Sequence, residues 1–209
     1  MKAYYDLHIH TALSNCGKMC NTPSAIVKRA KENGLNVIAI CDHNNARNAE
    51  AVMKAGKREN ITVIPGMEIT TSENVHILAL FYKIEDAMAL CRYLDENRKL
   101  FLGPTEGETA AWLFDENDNA IGIYPYATAS ETNFNIDEVI ILIKKYNGLA
   151  IPSHADRWIT GILTVREIDN MDIDGVEISR DATEEYLKQH PSVDGYLKLY
   201  NSDCHWLDN

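Results

Sequence analysis

His8 and His10, in the run "YYDLHIHT" at residues 4–11, are the first groups in the chain whose types and spacing could do chemistry. Residues i and i+2 of a strand point to one face, so a strand here presents two imidazoles to a single ion. Imidazole and carboxylate together suit Zn, Mn or Fe, and a carboxylate has two oxygens with which to bridge a pair of ions. Further along stand Asp42 with His43, then Glu68, His76, His154, and Asp203 with His205. A lone H-x-H is more often two ordinary polar residues at a strand end, and a lone Asp-His dipeptide means nothing. What decides between the readings is where the whole set falls on the fold.

The elements that must position these residues alternate between strand and helix. "KAYYDLHI" reads as a strand, and Thr22 and Pro23 open a helix through "SAIVKRAKEN" that stops at Gly34. "NVIAICDH" is a β-branched strand, "ARNAEAVMKAGKREN" a helix, and "ITVIPGMEIT" and "VHILALFY" two more strands. "IEDAMALCRYLDENRKLF" has helical spacing, and "AAWLFDENDNAIGIYPY" reads as two strands around a solvated polar turn, within an excursion over the rim of the site at about 96–135. The alternation resumes with helix "NIDEVIILIKKYN", Gly148, strand "LAIPSH", a short helix near 164–170, strand "DGVEIS", helix "ATEEYLKQH" and a last strand near "GYLKLYNSD". About seven sheet strands in this order suit an α/β barrel or an open sheet.

On that frame His8, His10, Asp42, His43, Glu68, His154, Asp203 and His205 all sit at or just past the C-terminal end of a strand, the face where α/β folds build active sites. His76 starts its strand, and comes to the same end if "EITT" runs outward and "VHILAL" returns. Only His190, before Pro191 at a helix end, has an evident surface explanation. Together these placements favour a metal centre over coincidental polar strand ends.

Composition sets the remaining bounds. The 209 residues, 45% hydrophobic, are expected to form one domain over 1–209. A formal charge of -11 advertises no nucleic-acid surface, and no apolar run is long enough to span a membrane, so neither partner is expected. The first ten residues lack the apolar core of a signal peptide, and five cysteines without framework spacing point to a reducing cytoplasm. An acidic protein repels anionic substrates unless something positive sits in its site, which gives a metal cluster added weight. The oligomeric state is not legible.

"DLHIHT", "CDHN", "PGMEIT", "VHILAL", "PSHADR" and "NSDCH" resemble, in order and spacing, the motifs of the PHP family, named for polymerase and histidinol phosphatase domains. The resemblance implies an α/β fold, a distorted seven-stranded βα barrel of the TIM-like kind, with two or three divalent metal ions (Zn, Mn or Fe) at its C-terminal face. It also implies hydrolysis of phosphoesters, here as a stand-alone phosphoesterase (phosphatase or phosphodiesterase) acting on a small-molecule phosphate ester. Carried over residue by residue, His8, His10, Glu68 and Asp203 look like the set of one ion, and Glu68, His76 and His154 like that of a second. His43 and His205 resemble two ligands of a third. The remaining ligand of that third site would be an acid or a histidine, and this chain reads "SNCG", with Asn15 and Cys16 there. A Cys16 thiolate is one substitute, and Cys16 paired with Cys20 another use of the same thiol.

The chemistry such a centre implies is a water made acidic by two ions and a developing negative charge spread over them. Arg157, three residues after His154, matches the family arginine that grips phosphate, and Arg180 is a second candidate. His43 or His205 is the expected general acid if the third ion is absent. Asp6 and Asp42 are expected to orient imidazoles, and Trp112, Trp158 and Trp206 to pack, although Trp158 beside Arg157 also suits a pocket wall. Cys41 and Cys91 are expected to be buried and inert. Ala155 replaces the proline common after this histidine, and the chain stops four residues beyond His205, where relatives continue into a closing helix. An open barrel is one expectation from that, and a metal-binding domain with a structural or sensing role and no turnover is the alternative function. An amidohydrolase-like C–N cleavage would leave Arg157 without a purpose.

Overall fold

The β-branched apolar runs become a sheet and the amphipathic runs its covering helices. A computed structural model describes residues 2–207. In chain order the elements are β1 (Tyr5–Ile9), α1 (Pro23–Glu32), β2 (Val37–Ile40), α2 (Ala49–Glu59), β3 (Thr62–Thr70), β4 (His76–Phe81) and α3 (Ile84–Asn97). They continue with β5 (Ala111–Phe114), β6 (Ala120–Tyr124), α4 (Ile136–Lys145), β7 (Gly148–Pro152), β8 (Val176–Glu177), α5 (Glu184–Gln189) and β9 (Lys198–Leu199). The sheet order is β1-β2-β3-β4-β7, with β1, β2 and β3 parallel and β4 antiparallel to both of its neighbours. β3 and β4 form the outward and return strands expected of them, pairing Thr70 with His76. β5 and β6 form a separate antiparallel hairpin.

The closed seven-stranded barrel is not seen. Among the described residues β8 and β9 pair with each other, in parallel, and with no strand of the main sheet. Isolated bonds join the seams: Asp174 N to Ala150 O at 2.9 Å and Ala155 N to Glu177 O at 2.8 Å on one side, His10 N to Cys204 O at 2.9 Å and Cys204 N to His8 O at 3.2 Å on the other. The cause is local. Two 3-10 turns (Ile162–Thr164 and Pro191–Gly195) and the left-handed backbone of Asp203 (φ 53°) interrupt the extended conformation that longer ladders need. The helix expected near 164–170 shrinks to the first of these turns, and Asn170 there is itself left-handed (φ 57°).

Alternation along each strand divides the core. In β4, Ile77, Ala79 and Phe81 face α3 and α4, while Leu78 and Leu80 join Ala39, Cys41, Ile151 and Leu199 on the other face. In β2, Ile38 and Ile40 pack with Ile26 and Val27 of α1 and Val52 and Ala55 of α2. α4 buries Ile136, Val139, Ile140 and Ile143, and its start is held by a capping box in which Asn135 Oδ1 accepts from Glu138 N (2.9 Å) and Glu138 Oε2 accepts from Asn135 N (2.8 Å). Asn135→Ala is expected to lower the unfolding free energy by about 1 kcal/mol in urea melts, and Asn135→Asp to recover most of it.

Candidate metal centre

The sheet delivers its polar residues to one end. β1 carries His8, β3 carries Glu68 and β4 opens with His76, while His10, His43, His154, Asp203 and His205 follow β1, β2, β7 and β9. Backbone bonds from Asn44 N to Glu68 O (2.7 Å) and Glu68 N to Asp42 O (3.0 Å) extend the β2–β3 pairing and set His43 beside Glu68. His154 (φ 30°) and Asp203 (φ 53°) stand in the left-handed region, a conformation retained where the surroundings impose it. At His154 the restraints are its own N–H donating to Glu177 Oε1 (3.0 Å) and its carbonyl accepting from Arg157 N (2.8 Å).

Glu68 is 1% exposed and lies at the centre of the cluster. Its oxygens are 3.1 Å from His43 Nδ1, 3.1 Å from His76 Nδ1, 3.2 Å from His154 Nε2, and 3.4 Å from both His8 Nε2 and His10 Nε2. Asp203 Oδ1 is 3.3 Å from both His8 Nε2 and His10 Nε2. Three sets are compact enough to hold one ion each: His8, His10, Glu68 and Asp203; His43, Glu68 and His76; and His10, His43 and His205. His154 joins through Glu68 rather than through one of these sets.

The donor set fits metal ions on two observations. His43 Nδ1 and Asp203 Oδ1 are buried without a hydrogen-bond partner although other ligand-type atoms lie close by, the geometry of groups aimed at a shared point rather than at each other. His8 Nε2 and His10 Nε2 face each other at 3.0 Å, and each ring spends its Nδ1–H elsewhere: His8 on Glu177 (3.1 Å to either oxygen), His10 on Ser14 Oγ (2.9 Å). With each Nδ1–H so engaged, the two Nε2 atoms can share between them either a proton or a metal ion. Burial, reinforced by His205, brings the His10 pKa down to about 4, and burial also lowers His43, so both imidazoles are neutral at pH 7 as ligands must be. Burial opposes the charge of Glu68, but His76, His8 and His43 outweigh it and hold the carboxyl well below its ordinary value.

The groups that orient the imidazoles differ from those expected. Asp6 Oδ1 accepts from the backbone N–H groups of His8 and Ser202 (3.2 and 3.1 Å) and touches no ring. Asp42 acts at one remove: it accepts the Ser14 hydroxyl (2.7 Å), which leaves the Ser14 oxygen to accept from His10 Nδ1–H and His43 N–H. Burial pushes the Asp42 carboxyl up to about 6 against its bonds from Ser14 and Thr11. The direct partner of His8 is Glu177, 2% exposed, which also accepts from Asn201 Nδ2 (2.7 Å). Sequence reasoning missed it. The available sign was a single acid between two apolar residues, Val176 and Ile178.

Around this cluster opens a cavity of about 450 Å³ lined by Cys16, His43, Glu68, His76, Ala129, Arg157, Trp158, Ile159, Thr160, Asp203 and His205. Arg157 stands at its mouth, Nη1 bonded to Asp203 Oδ2 at 2.7 Å. Arg180, exposed after β8, is not among the lining residues. Asn15 is occupied elsewhere, its Oδ1 accepting from Thr128 N (2.6 Å) and its Nδ2 donating to Thr109 O (2.7 Å), which ties the first loop to the 96–135 segment. Cys16 is exposed at the surface, and partial burial of its thiol and then Glu68 push that thiol up to about 12 where no ion is bound. Cys41 and Cys91 are buried as expected. Trp158 and Trp206 are exposed rather than packed. Among the described residues, no helix is long and apolar enough to cross a membrane.

A family model described as the PHP domain matches residues 6–190. The uncharacterized protein MJ1587 of Methanocaldococcus jannaschii is 32% identical over 186 residues, 85% of this chain and 81% of that protein. The 5′-3′ exoribonuclease Rnm of Escherichia coli is 36% identical over 97 residues, 43% of this chain and 31% of that protein. The fold matches a candidate metal-dependent phosphoesterase from Bifidobacterium adolescentis with a TM-score of 0.68 at 19% identity, covering 100% of this chain and 90% of that one. It also matches endonuclease Q in complex with a 27-mer duplex, an abasic lesion at the active site, with a TM-score of 0.69 at 18% identity over 96% of this chain and 48% of that one. The exclusion of nucleic acid drawn from composition does not hold, since these relatives include enzymes of DNA and RNA. Net charge sums the whole surface, whereas partner choice follows the local field, and here an arginine stands at the mouth of a site suited to cations.

Proposed function

Since the chain belongs to the PHP domain family, a family with metal-dependent phosphoesterases and nucleases among its relatives, we propose that it hydrolyses phosphate esters at a centre of two or three divalent ions. The observation that carries this reading is Glu68 within 3.4 Å of five imidazoles, with unpartnered donor atoms around it and an arginine at the mouth. His8, His10, Glu68 and Asp203 would hold one ion, and Glu68, His76 and His154 a second. His43 and His205 would contribute two ligands to a third. Such ions supply a water of lowered pKa and offset charge on the phosphate oxygens.

The chain's own residues do the rest. Arg157 shares its planar fork between Asp203 and two phosphate oxygens, fixing the phosphorus over the cluster. In the step itself a water, having released one proton to solvent, bonds through its oxygen to phosphorus, the ester P–O bond breaks, and the departing alkoxide takes a proton. His205 is the donor best placed where the third site is empty: its Nδ1 is 2.9 Å from the Asp203 carbonyl, and its ring lines the cavity with Nε2 left to carry that proton. His43, more deeply buried, is the second candidate. A cavity of about 450 Å³ takes a small phosphate ester whole, or one end of a longer one.

Metal content by elemental analysis on protein purified without chelator, paired with phosphate release from an aryl phosphate, tests the proposal. Two or more ions per chain with turnover are expected. Arg157→Ala is expected to raise KM and lower kcat/KM about 100-fold, and Arg157→Lys to restore less than half of that loss in free energy, because an ammonium cannot make the paired contact. Bound metal with no hydrolysis of any phosphomonoester or diester would leave only a structural or sensing role.

A further inference from the structure

The cavity wall carries a side chain that phosphate hydrolysis alone leaves unused. Trp158 is 86% exposed, follows Arg157 directly, and lines the same cavity as the histidine cluster. Ile159 beside it is 70% exposed. The loop does not simply let the indole drift into water. Its backbone is closed by Arg157 N to His154 O (2.8 Å), Gly161 N to Arg157 O (2.9 Å), Leu163 N to Ala155 O (3.1 Å) and His76 N to Thr160 O (3.1 Å). A Cβ at Gly161 would lie 2.4 Å from Arg157 O and 2.5 Å from Ala155 O, so the tight fold depends on glycine there. An ordered loop thus holds a flat apolar ring outward, one residue from the group that reaches for phosphate.

Bare phosphate needs only a fraction of a cavity of about 450 Å³, a size typical of sites for drug-sized ligands. The remaining volume is the place of the ester's alcohol, and the wall beside it offers an exposed indole and an isoleucine, with the neighbouring Thr160 hydroxyl engaged with His154 Nδ1 (3.3 Å). A planar ring is what such a wall recognises: stacking on tryptophan accepts every nucleobase, because each has a π-face. We infer that Trp158 is a specificity-determining residue that stacks the base of a nucleoside phosphate whose phosphate lies on Arg157 and the histidine cluster. This rests on the phosphoesterase reading and names its substrate class. The base belongs to a free nucleotide or to the end of a strand, two sources of one chemistry.

The test uses the full chain, with adenosine 5′-monophosphate, a 5′-phosphorylated dinucleotide and glycerol phosphate as probes. Wild type is expected to prefer the two base-bearing esters in kcat/KM, and Trp158→Ala to narrow that preference about tenfold, through KM rather than kcat, with Trp158→Phe keeping most of it. Whichever base-bearing ester leads assigns the source and supports the subsite. Binding supplies a second readout: adenosine 5′-monophosphate is expected to quench tryptophan fluorescence in wild type far more than in Trp158→Phe. Hydrolysis of no ester with that quench intact sinks the phosphoesterase reading and leaves the ring subsite standing. Hydrolysis with equal losses on all three esters in Trp158→Ala, or self-association lost in Trp158→Ala without any change in preference, overturns the subsite alone.

Discussion

Replacing Glu68 by glutamine is expected to strip the protein of metal and to lower phosphate-ester hydrolysis by about three orders of magnitude or more, some 4 kcal/mol of transition-state stabilisation. Among the described residues no other carboxylate has five imidazole nitrogens within 3.4 Å of its two oxygens. Glutamine keeps the shape and one acceptor oxygen. It loses the charge and the second oxygen, so it cannot bridge two ions, and its NH₂ turns a donor toward nitrogens that need an acceptor or a cation. Removing one member of a buried charge cluster also costs several kcal/mol of stability, because the partners stay buried. The measurement is elemental analysis beside turnover on one aryl phosphate, with circular dichroism to show that the variant is folded. A folded Glu68→Gln that keeps two ions and more than a tenth of the activity would displace Glu68 from the bridging position.

What could be read from the residues was whatever depends on period and ligand type. His8 and His10 share a face because strands repeat every two residues, and they do converge, with Nε2 atoms 3.0 Å apart. His76, at the wrong end of its strand by sequence order, could be placed because β3 and β4 are separated by a short polar turn that returns the chain. The closure of the barrel was not legible. "DGVEIS" and "GYLKLYNSD" look like strands by composition, yet each contributes only two paired residues, since pairing needs a partner in register and the flanking turns deny one. Orientation of the imidazoles was misassigned for a similar reason. Adjacency pointed to Asp6 and Asp42, whereas the ring contacts come from Ser14, four residues on from His10, and from Glu177, 169 residues on from His8. Nothing in a single sequence reports a contact of that span.

Glu177 carries the second large expectation. It accepts from His8 Nδ1, Asn201 Nδ2 and His154 N at once, so Glu177→Ala leaves three buried donors without an acceptor. In the presence of chelator the variant is expected to lose about 3–5 kcal/mol of unfolding free energy at pH 6, read from urea melts. Glu177→Gln, with one acceptor oxygen and a donor turned toward donors, is expected to lose about 1–3 kcal/mol. Burial works against the Glu177 charge but the His8 imidazolium outweighs it, so the carboxyl lies below its ordinary 4.5, and its stabilisation is present above that pH and fades as pH falls through the folded value. Burial likewise opposes a proton on His8 while Glu177, Glu68 and Asp203 raise it above 6.5, so that share is full below pH 6.5 and is lost as pH rises through the folded value. The deficit of Glu177→Ala should therefore be widest between pH 4.5 and 6.5 and shrink on either side. Without chelator, both variants are expected to bind metal about 10- to 100-fold more weakly, because His8 loses the acceptor that keeps its proton on Nδ1 and its Nε2 lone pair toward the cluster. A Glu177→Ala protein within 1 kcal/mol of wild type across that range, with metal affinity unchanged, would mean that His8 is held by β1 alone.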